Sequence, residues 1–160
     1  MAELLSEEMK GVVRAFPGSY MTAVQDGHVP QITRVVGLEV EDSETILAMV
    51  QTPISGTFLE CLETNPRAAL VGVVVTSYLT FQFKGDVIAH WPATEADQAT
   101  VAEYVAGFCE LVAAVGLDPE RYGPAFSEGP YTTLRLRVDE VFDQTPRIGA
   151  GNRVASREES

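Results

Sequence analysis

Three β-favouring stretches follow one another with only short turns between them, at residues 20–25, 32–40 and 45–50. The first turn contains Asp26-Gly27, a pair that favours a tight hairpin because glycine readily adopts the positive φ required there. Strands that pair in parallel need a connection of about a dozen residues or more, so neighbours this close along the chain pair antiparallel. The sequence therefore predicts an antiparallel meander in the first third of the chain.

Helices and further strands flank this meander. Predicted helices cover residues 6–16, 55–65 and 95–115, and predicted strands cover residues 68–75, 79–83 and 131–142. The run AALVGVVV at residues 68–75 is apolar on both faces, which indicates a central strand buried on both sides. Thr94 and Asp97 resemble a capping box at the start of the longest helix. Residues 118–130 are rich in proline and glycine and are predicted to form a loop.

This order of hairpins and helices predicts an α+β fold built on a small antiparallel barrel of about six strands with flanking helices. No internal repeat or linker divides the sequence, so residues 1–146 are predicted to form a single domain. Residues 147–160 are a polar tail, and we expect the chain from residue 143 to 160, which has little apolar content, to be mobile unless a partner holds it.

Charge and composition limit the classes of partner. The 160 residues include 23 acidic and 11 basic side chains, which gives a formal net charge of −12. Nucleic acids and anionic membranes attract basic surfaces, so this balance argues against non-specific binding to either. The sequence MAELLSEEMK at the start does not resemble a signal peptide, and no apolar run is long enough to span a bilayer. We therefore expect a cytoplasmic protein.

The sequence contains no recognisable catalytic or metal-binding pattern. It has neither the nucleophile elbow of hydrolases nor a phosphate-binding glycine loop. His28 and His90 are isolated from each other and from other metal ligands. Cys61 and Cys109 have apolar neighbours in helical segments, where two small buried side chains are a simpler interpretation than a redox pair. No metal site is predicted, and no catalytic residue is nominated.

Arg34 is the exception in an otherwise apolar strand. Alternation puts its side chain on the same face as Ile32 and Val36. A cation on an apolar face needs an anionic partner or a path to water. Two roles remain open for it: an ion pair with an acidic neighbour, or a ligand for a phosphate or carboxylate group.

Two further polar features could contribute to a binding site. Thr52, Ser55 and Thr57 carry hydroxyls between a strand and a helix start, where free backbone N–H groups and the helix dipole favour an anion. An ordinary N-cap would explain one of these hydroxyls. The Gln82 amide, on the polar face of a strand, either faces solvent or hydrogen-bonds a heteroaromatic ring.

Several stretches of the chain, taken in order, are similar to one known family. They are TAVQDGHVP at 22–30, RVV at 34–36, TPISGT at 52–57, NPRAAL at 65–70, YLTFQFKG at 78–85 and VDEVFDQTP at 138–146. In this order they resemble the pyridoxamine 5′-phosphate oxidase-like family of FMN-binding split β-barrels, over about residues 15–150. The resemblance implies a split barrel that forms a homodimer with FMN sites at its interface, and a flavin-dependent oxidoreductase of unknown substrate.

The same resemblance implies which residues bind the cofactor. Arg34 is implied to contact the flavin phosphate. The other implied contacts are the backbone of Thr33, Val35 and Val36 along the ring, Ser55 and Thr57 at the phosphate with Thr52 and Gly56 of the same segment, and Gln82 near the isoalloxazine.

The chain departs from the family at its cationic phosphate contacts. Many members carry a Ser-Arg-Lys-like triplet where this chain has Ser55-Gly56-Thr57, and some carry a lysine at the position of Glu39. A charged hydrogen bond contributes about 1.5–3 kcal/mol, so losing two lowers the expected FMN affinity about a hundredfold or more. The alternatives left open are a deazaflavin ligand, a different small molecule, or a non-enzymatic binding or stress-related barrel that binds FMN weakly or not at all.

Overall fold

The computed structural model describes residues 3–25 and 29–157, which contain seven β-strands and four α-helices. The strands are β1 (Gly18–Gln25), β2 (Val29–Val40), β3 (Thr45–Gln51), β4 (Arg67–Val73), β5 (Thr80–Pro92), β6 (Tyr131–Asp143) and β7 (Asn152–Ser156). The helices are α1 (Glu7–Arg14), α2 (Gly56–Thr64), α3 (Glu95–Ala114) and α4 (Pro119–Phe126). None of these helices is long and apolar enough to cross a membrane.

Six of the strands close into an antiparallel barrel. Their order is β3-β2-β1-β4-β5-β6, and β6 pairs back with β3. This confirms the predicted α+β barrel of about six strands, including the meander of β1, β2 and β3. The predicted hairpin turn at Asp26-Gly27, together with His28, lies outside the described residues.

Strand β6 is long enough to pair with three neighbours. One of its edges pairs with β5, and the other pairs with β3 as far as Arg137 and with β7 from Glu140 onwards. The tail that we expected to be mobile thus contains a strand. The part of β6 beyond β3 would otherwise present unpaired backbone groups, and β7 satisfies them. Arg153 of β7 also forms an ion pair with Glu140 at 3.0 Å.

Two apolar clusters hold the fold together. The larger fills the barrel with side chains from all six strands and adds the apolar faces of α1 and α2. The smaller lies outside the barrel, where Val101 of α3 packs on Val36, Leu47 and Met49 of β2 and β3. Helix α3 therefore covers one outer face of the barrel.

The prediction that residues 68–75 form a strand buried on both sides is wrong for one face. Ala68 and Leu70 point into the barrel and are buried, whereas Ala69, Val71 and Val73 are only partly buried. A barrel wall has one inner and one outer face, and successive side chains of a strand alternate between them. The outer face of β4 is therefore apolar without being fully covered by its own chain.

Helix α4 replaces part of the loop predicted at residues 118–130. Asp118 caps the helix by accepting a hydrogen bond from the Glu120 N–H at 3.0 Å, and Pro119 occupies the first turn, where a missing N–H costs nothing. The loop predicted from the proline and glycine content is therefore wrong for residues 119–126. Phe126 of α4 packs on Phe108 of α3 with ring centroids 5.2 Å apart.

Asp97 anchors the start of α3 to the barrel. Its Oδ2 accepts hydrogen bonds from Trp91 Nε1 (3.1 Å), the Thr94 N–H (2.8 Å) and Thr133 Oγ1 (2.9 Å). The capping box with Thr94 is thereby confirmed. Burial disfavours the charged carboxylate, but the hydrogen bonds from Thr94, Thr133 and Trp91 outweigh burial and lower the pKa of Asp97.

We expect Asp97→Asn to lower the free energy of unfolding at pH 7 by about 2 kcal/mol, because it removes the charged acceptor. A lowered pKa means that the carboxylate stabilises the fold above its unfolded pKa of about 3.9 and loses this effect as pH falls further. Urea unfolding at pH 7 and at pH 3 should therefore show a smaller difference between variant and parent at pH 3. Glu110→Gln, on an exposed position of α3, serves as the control. An equal difference at both pH values would contradict this assignment.

Gly85 lies where β5 and β6 come into close contact at a register shift. A Cβ at this position would sit 1.9 Å from the carbonyl oxygen of Arg137, which is backbone and cannot rotate away. We expect Gly85→Ala to lower the free energy of unfolding by about 1–3 kcal/mol or more. Gly11→Ala in α1 is the matched control, since nothing lies within 4 Å of its Cβ position, and it should stabilise the helix by up to about 1 kcal/mol. Thermal unfolding of both variants measures the contrast, and equal midpoints would contradict it.

Candidate functional site

Arg34 lies on the outer face of β2, at the border of the surface that α3 covers. Val36, two residues further on, is fully buried under α3, whereas Ile32, two residues earlier, is 65% exposed. A bulge between Val35 and Gly37 accompanies this change. Arg34 itself is half-buried, so its guanidinium sits at the edge of a covered region.

The contacts of Arg34 come from α4. The guanidinium carbon lies 4.5 Å from the centre of the Phe126 ring, and Nη1 donates a long 3.5 Å hydrogen bond to the carbonyl oxygen of Ala125. Its Nε is buried and has no hydrogen-bond partner in the described part of the chain. No carboxylate within residues 3–25 or 29–157 pairs with Arg34, so the ion pair considered from the sequence is not found there. The guanidinium keeps unused donors for an anion.

The lack of a carboxylate partner distinguishes Arg34 from most cations of this acidic chain. Eight of the 11 basic side chains pair with a carboxylate among the described residues. The exceptions within that part of the chain are Arg34, Lys84 and Arg121. An arginine that pairs with no carboxylate of residues 3–25 or 29–157, in a chain this acidic, is suited to bind an anion from outside the chain.

Gln51 is a site residue that the sequence analysis missed. It follows Val50, which pairs with Val35, so its side chain lies beside Arg34 on the outer face. Its Nε2 donates to the carbonyl oxygens of Ala125 (3.1 Å) and Glu128 (3.0 Å). The side chain is 4% exposed, and its Oε1 is buried with no partner among the described residues. One feature of the sequence could have indicated this role: Gln51 is a polar residue at an outward-facing position at the end of β3.

The hydroxyls of the segment after β3 are partly used within the protein. Ser55 Oγ donates to the carbonyl oxygen of Gln51 (2.7 Å), so Thr33 Oγ1, 2.6 Å away, donates to Ser55. This pair ties the start of α2 to the residue before Arg34. Thr52 Oγ1 bonds Thr132 Oγ1 at 2.8 Å.

The start of α2 retains free donors despite these internal bonds. Ser55 makes no side-chain cap, and the first helical hydrogen bond runs from Leu59 N–H to Ser55 O. The amides of Gly56 and Thr57, both exposed residues, therefore have no helical acceptor. An anion could accept from them.

Gln82 shares the outer face with Arg34 but lies three strands away. Arg34 is paired with Tyr20, Tyr20 with Val71, and Val71 with Gln82. Three strand spacings correspond to about 14 Å, too far for both side chains to hold the same small group. Gln82 accepts a 3.4 Å hydrogen bond from Gln144.

Other residues considered from the sequence lie elsewhere. Glu39, where some family members have a lysine, lines a cavity of about 430 Å³ with Arg14 and Glu103, and Arg34 is not part of that lining. His90 is exposed and lies 3.4 Å from the exposed carboxylate of Glu63. Val35 is buried inside the barrel, so only its backbone could face a ligand.

Comparison with known proteins establishes the fold and no more than the fold. The sequence matches no protein-family model and no curated protein. A putative pyridoxamine 5′-phosphate oxidase from Lactobacillus delbrueckii is 18% identical with a TM-score of 0.54, and the match covers 88% of this chain and 95% of that one. An FMN-binding protein from Syntrophomonas wolfei is 10% identical with a TM-score of 0.57, covering 98% and 89%. An F420 reductase is 13% identical with a TM-score of 0.53, covering 82% and 94%. The chain therefore has the split-barrel fold of these proteins.

Proposed function

We propose that this protein is a homodimer that binds a flavin-type ligand, FMN or a deazaflavin, with the ligand phosphate at Arg34. The observation that carries the proposal is an arginine without a carboxylate partner among the described residues, whose buried Nε lacks a hydrogen bond. It sits on a fold shared with an FMN-binding protein and an F420 reductase.

The residues around Arg34 suit a phosphate ester joined to a ring by a flexible chain. Arg34 offers fork-shaped donors, and the first-turn amides of α2 add more. Gln82, about 14 Å away along the same face, is placed to bond the ring end of an elongated ligand.

A flavin, when bound, supplies hydride and electron transfer, and the protein supplies position and electrostatics. We infer that the chain acts as an oxidoreductase on an organic substrate. No residue is nominated as a catalytic acid or base.

The outer face of the sheet supports the proposed dimer. Tyr20 is 45% exposed and pairs with the partly exposed Val71 on β4, and Val24 (38% exposed) and Ile32 (65%) lie further along the same face. Monomeric proteins seldom expose contiguous apolar patches of large side chains. A second copy that covers this face would also enclose the row that joins Arg34 to Gln82.

Titration with FMN and with riboflavin tests the proposed ligand. The two compounds share the ring and differ by the phosphate. If Arg34 binds the phosphate, FMN should bind at least about tenfold more tightly than riboflavin. Flavin fluorescence on titration gives both affinities, and visible absorbance of freshly purified protein shows whether flavin is carried through purification. Absence of binding at millimolar FMN would overturn the proposal, and equal affinities would overturn the role of the phosphate.

A further inference from the structure

Helix α4 holds Arg34 through its C-terminal end. The Ala125 carbonyl lies 3.5 Å from Arg34 Nη1 and 3.1 Å from Gln51 Nε2, and the Glu128 carbonyl lies 3.0 Å from Gln51 Nε2. Carbonyls at the C-terminal end of a helix carry a partial negative charge, so the Ala125 carbonyl acts on Arg34 as a weak anion would. Phe126 adds a stacking contact to the guanidinium.

The attachment of α4 is slight. None of its residues is buried, and it has a proline at position 124 and a glycine at position 123, both poor helix formers. It packs on α3 through Phe126 and Phe108, and Phe126 also lies against the smaller apolar cluster on the barrel wall. Elements with few buried contacts open at a low free-energy cost. Helix α4 therefore has the properties of a segment that can leave the barrel while the barrel stays folded.

We propose that α4 is a lid that competes with phosphate-bearing ligands for Arg34, so that such a ligand binds as α4 moves off. The 3.5 Å hydrogen bond is longer than an ordinary one, and the buried Nε has no partner among the residues that the structure describes. A phosphate offers several charged oxygens to the guanidinium and makes shorter, stronger hydrogen bonds than a carbonyl does. The identity of the ligand rests on the function proposed above, whereas the contact between α4 and Arg34 does not.

Trypsin reports the position of α4 directly, because α4 contains the exposed Arg121. Cleavage after Arg121 needs the helix to open, so its rate measures the open population. With FMN as the probe, the rate should rise severalfold in the parent protein and stay unchanged in Arg34→Ala. A slower or unchanged rate while flavin fluorescence shows bound FMN would overturn the lid, because α4 would then close over the ligand or take no part.

Phe126→Ala removes the stacking contact and should favour the open lid. Losing a cation–π contact of this kind changes the equilibrium between the closed and the open lid about two- to fivefold. FMN affinity should therefore rise by about that factor. Val115→Ala, which trims an exposed apolar side chain just after α3, is the matched control and should leave both affinity and cleavage rate unchanged. Lower FMN affinity in Phe126→Ala would contradict competition, because it would make Phe126 part of the ligand site.

Phenylglyoxal modification of Arg34, mapped by mass spectrometry, separates failure of the lid from failure of the proposed function. It needs no flavin. If the parent protein binds no FMN, the flavin proposal fails, and the lid still predicts severalfold faster modification of Arg34 in Phe126→Ala than in Val115→Ala. Equal rates in the two variants would overturn the lid, whichever ligand the site takes.

Discussion

We expect FMN to bind the Arg34→Ala variant about ten- to a hundredfold more weakly than the parent protein, and riboflavin to bind both proteins about equally. The reason is that a charged hydrogen-bond donor is lost at the phosphate, which corresponds to about 1.5–3 kcal/mol. The effect should be large because Glu39, Gly56 and Thr57 supply no alternative cation. Fluorescence titration of both ligands measures it.

Two further variants define the role of the guanidinium. Arg34→Lys keeps the charge and loses the two-pronged geometry, so its FMN affinity should fall between parent and alanine variant. Arg14→Ala on α1 makes the same change in net charge and should leave FMN affinity within about twofold, because exposed charges are screened at ordinary ionic strength. An Arg34→Ala protein that is folded by circular dichroism and binds FMN as well as the parent would remove Arg34 from the site.

Local sequence patterns predicted much of the fold because their causes are local. The hydrogen bond from Met9 N–H to Ser6 caps α1, the capping box starts α3, and Gly116 has the positive φ of a helix end. Alternation located the strands of the meander. Each of these signals depends on residues within a few positions of one another.

The candidate site was predicted only in part, because its contacts join distant segments. Arg34 stood out as a cation in an apolar strand, but its neighbours on α4 lie 91 positions later. Gln51 bonds residues 74 and 77 positions away, and its local signal, a polar residue at the end of β3, does not indicate those partners. The proline and glycine content of residues 118–130 predicted a loop, although the Asp118 cap and Pro119 in the first turn favour the helix that forms there. A local pattern indicates that a residue can bind a ligand. Its contacts depend on which distant segments the folded barrel brings beside it.

The error on β4 has a different cause and leads to a prediction about assembly. A sequence can show that Ala69, Val71 and Val73 are apolar, but it does not show whether their cover comes from the same chain or from another. In the single chain their outer face stays partly exposed. The apolar character of this face is then explained if a second copy buries it, and the face adjoins the row from Arg34 to Gln82.

Val71→Asp should therefore convert a dimer into a monomer of 17.3 kDa. A two-fold interface contains each substitution twice, and burying an unpaired carboxylate costs several kcal/mol, so the dimer dissociation constant should rise about a thousandfold or more. The folded monomer should suffer little, because Val71 is on the outer face of the barrel wall. Light scattering after size-exclusion chromatography measures the mass, and Ile148→Asp, which charges a fully exposed apolar residue elsewhere, should remain dimeric.

FMN titration of the same variant links assembly to the ligand. If the ligand lies between two copies, Val71→Asp should bind FMN at least about tenfold more weakly even though Arg34 is intact, because the covering surface of the second copy is lost. A monomeric Val71→Asp protein that keeps parental FMN affinity would place the whole site within one chain. A parent protein that is itself monomeric at all concentrations would contradict the dimer, and the exposed apolar face of β1, β2 and β4 would then need another partner.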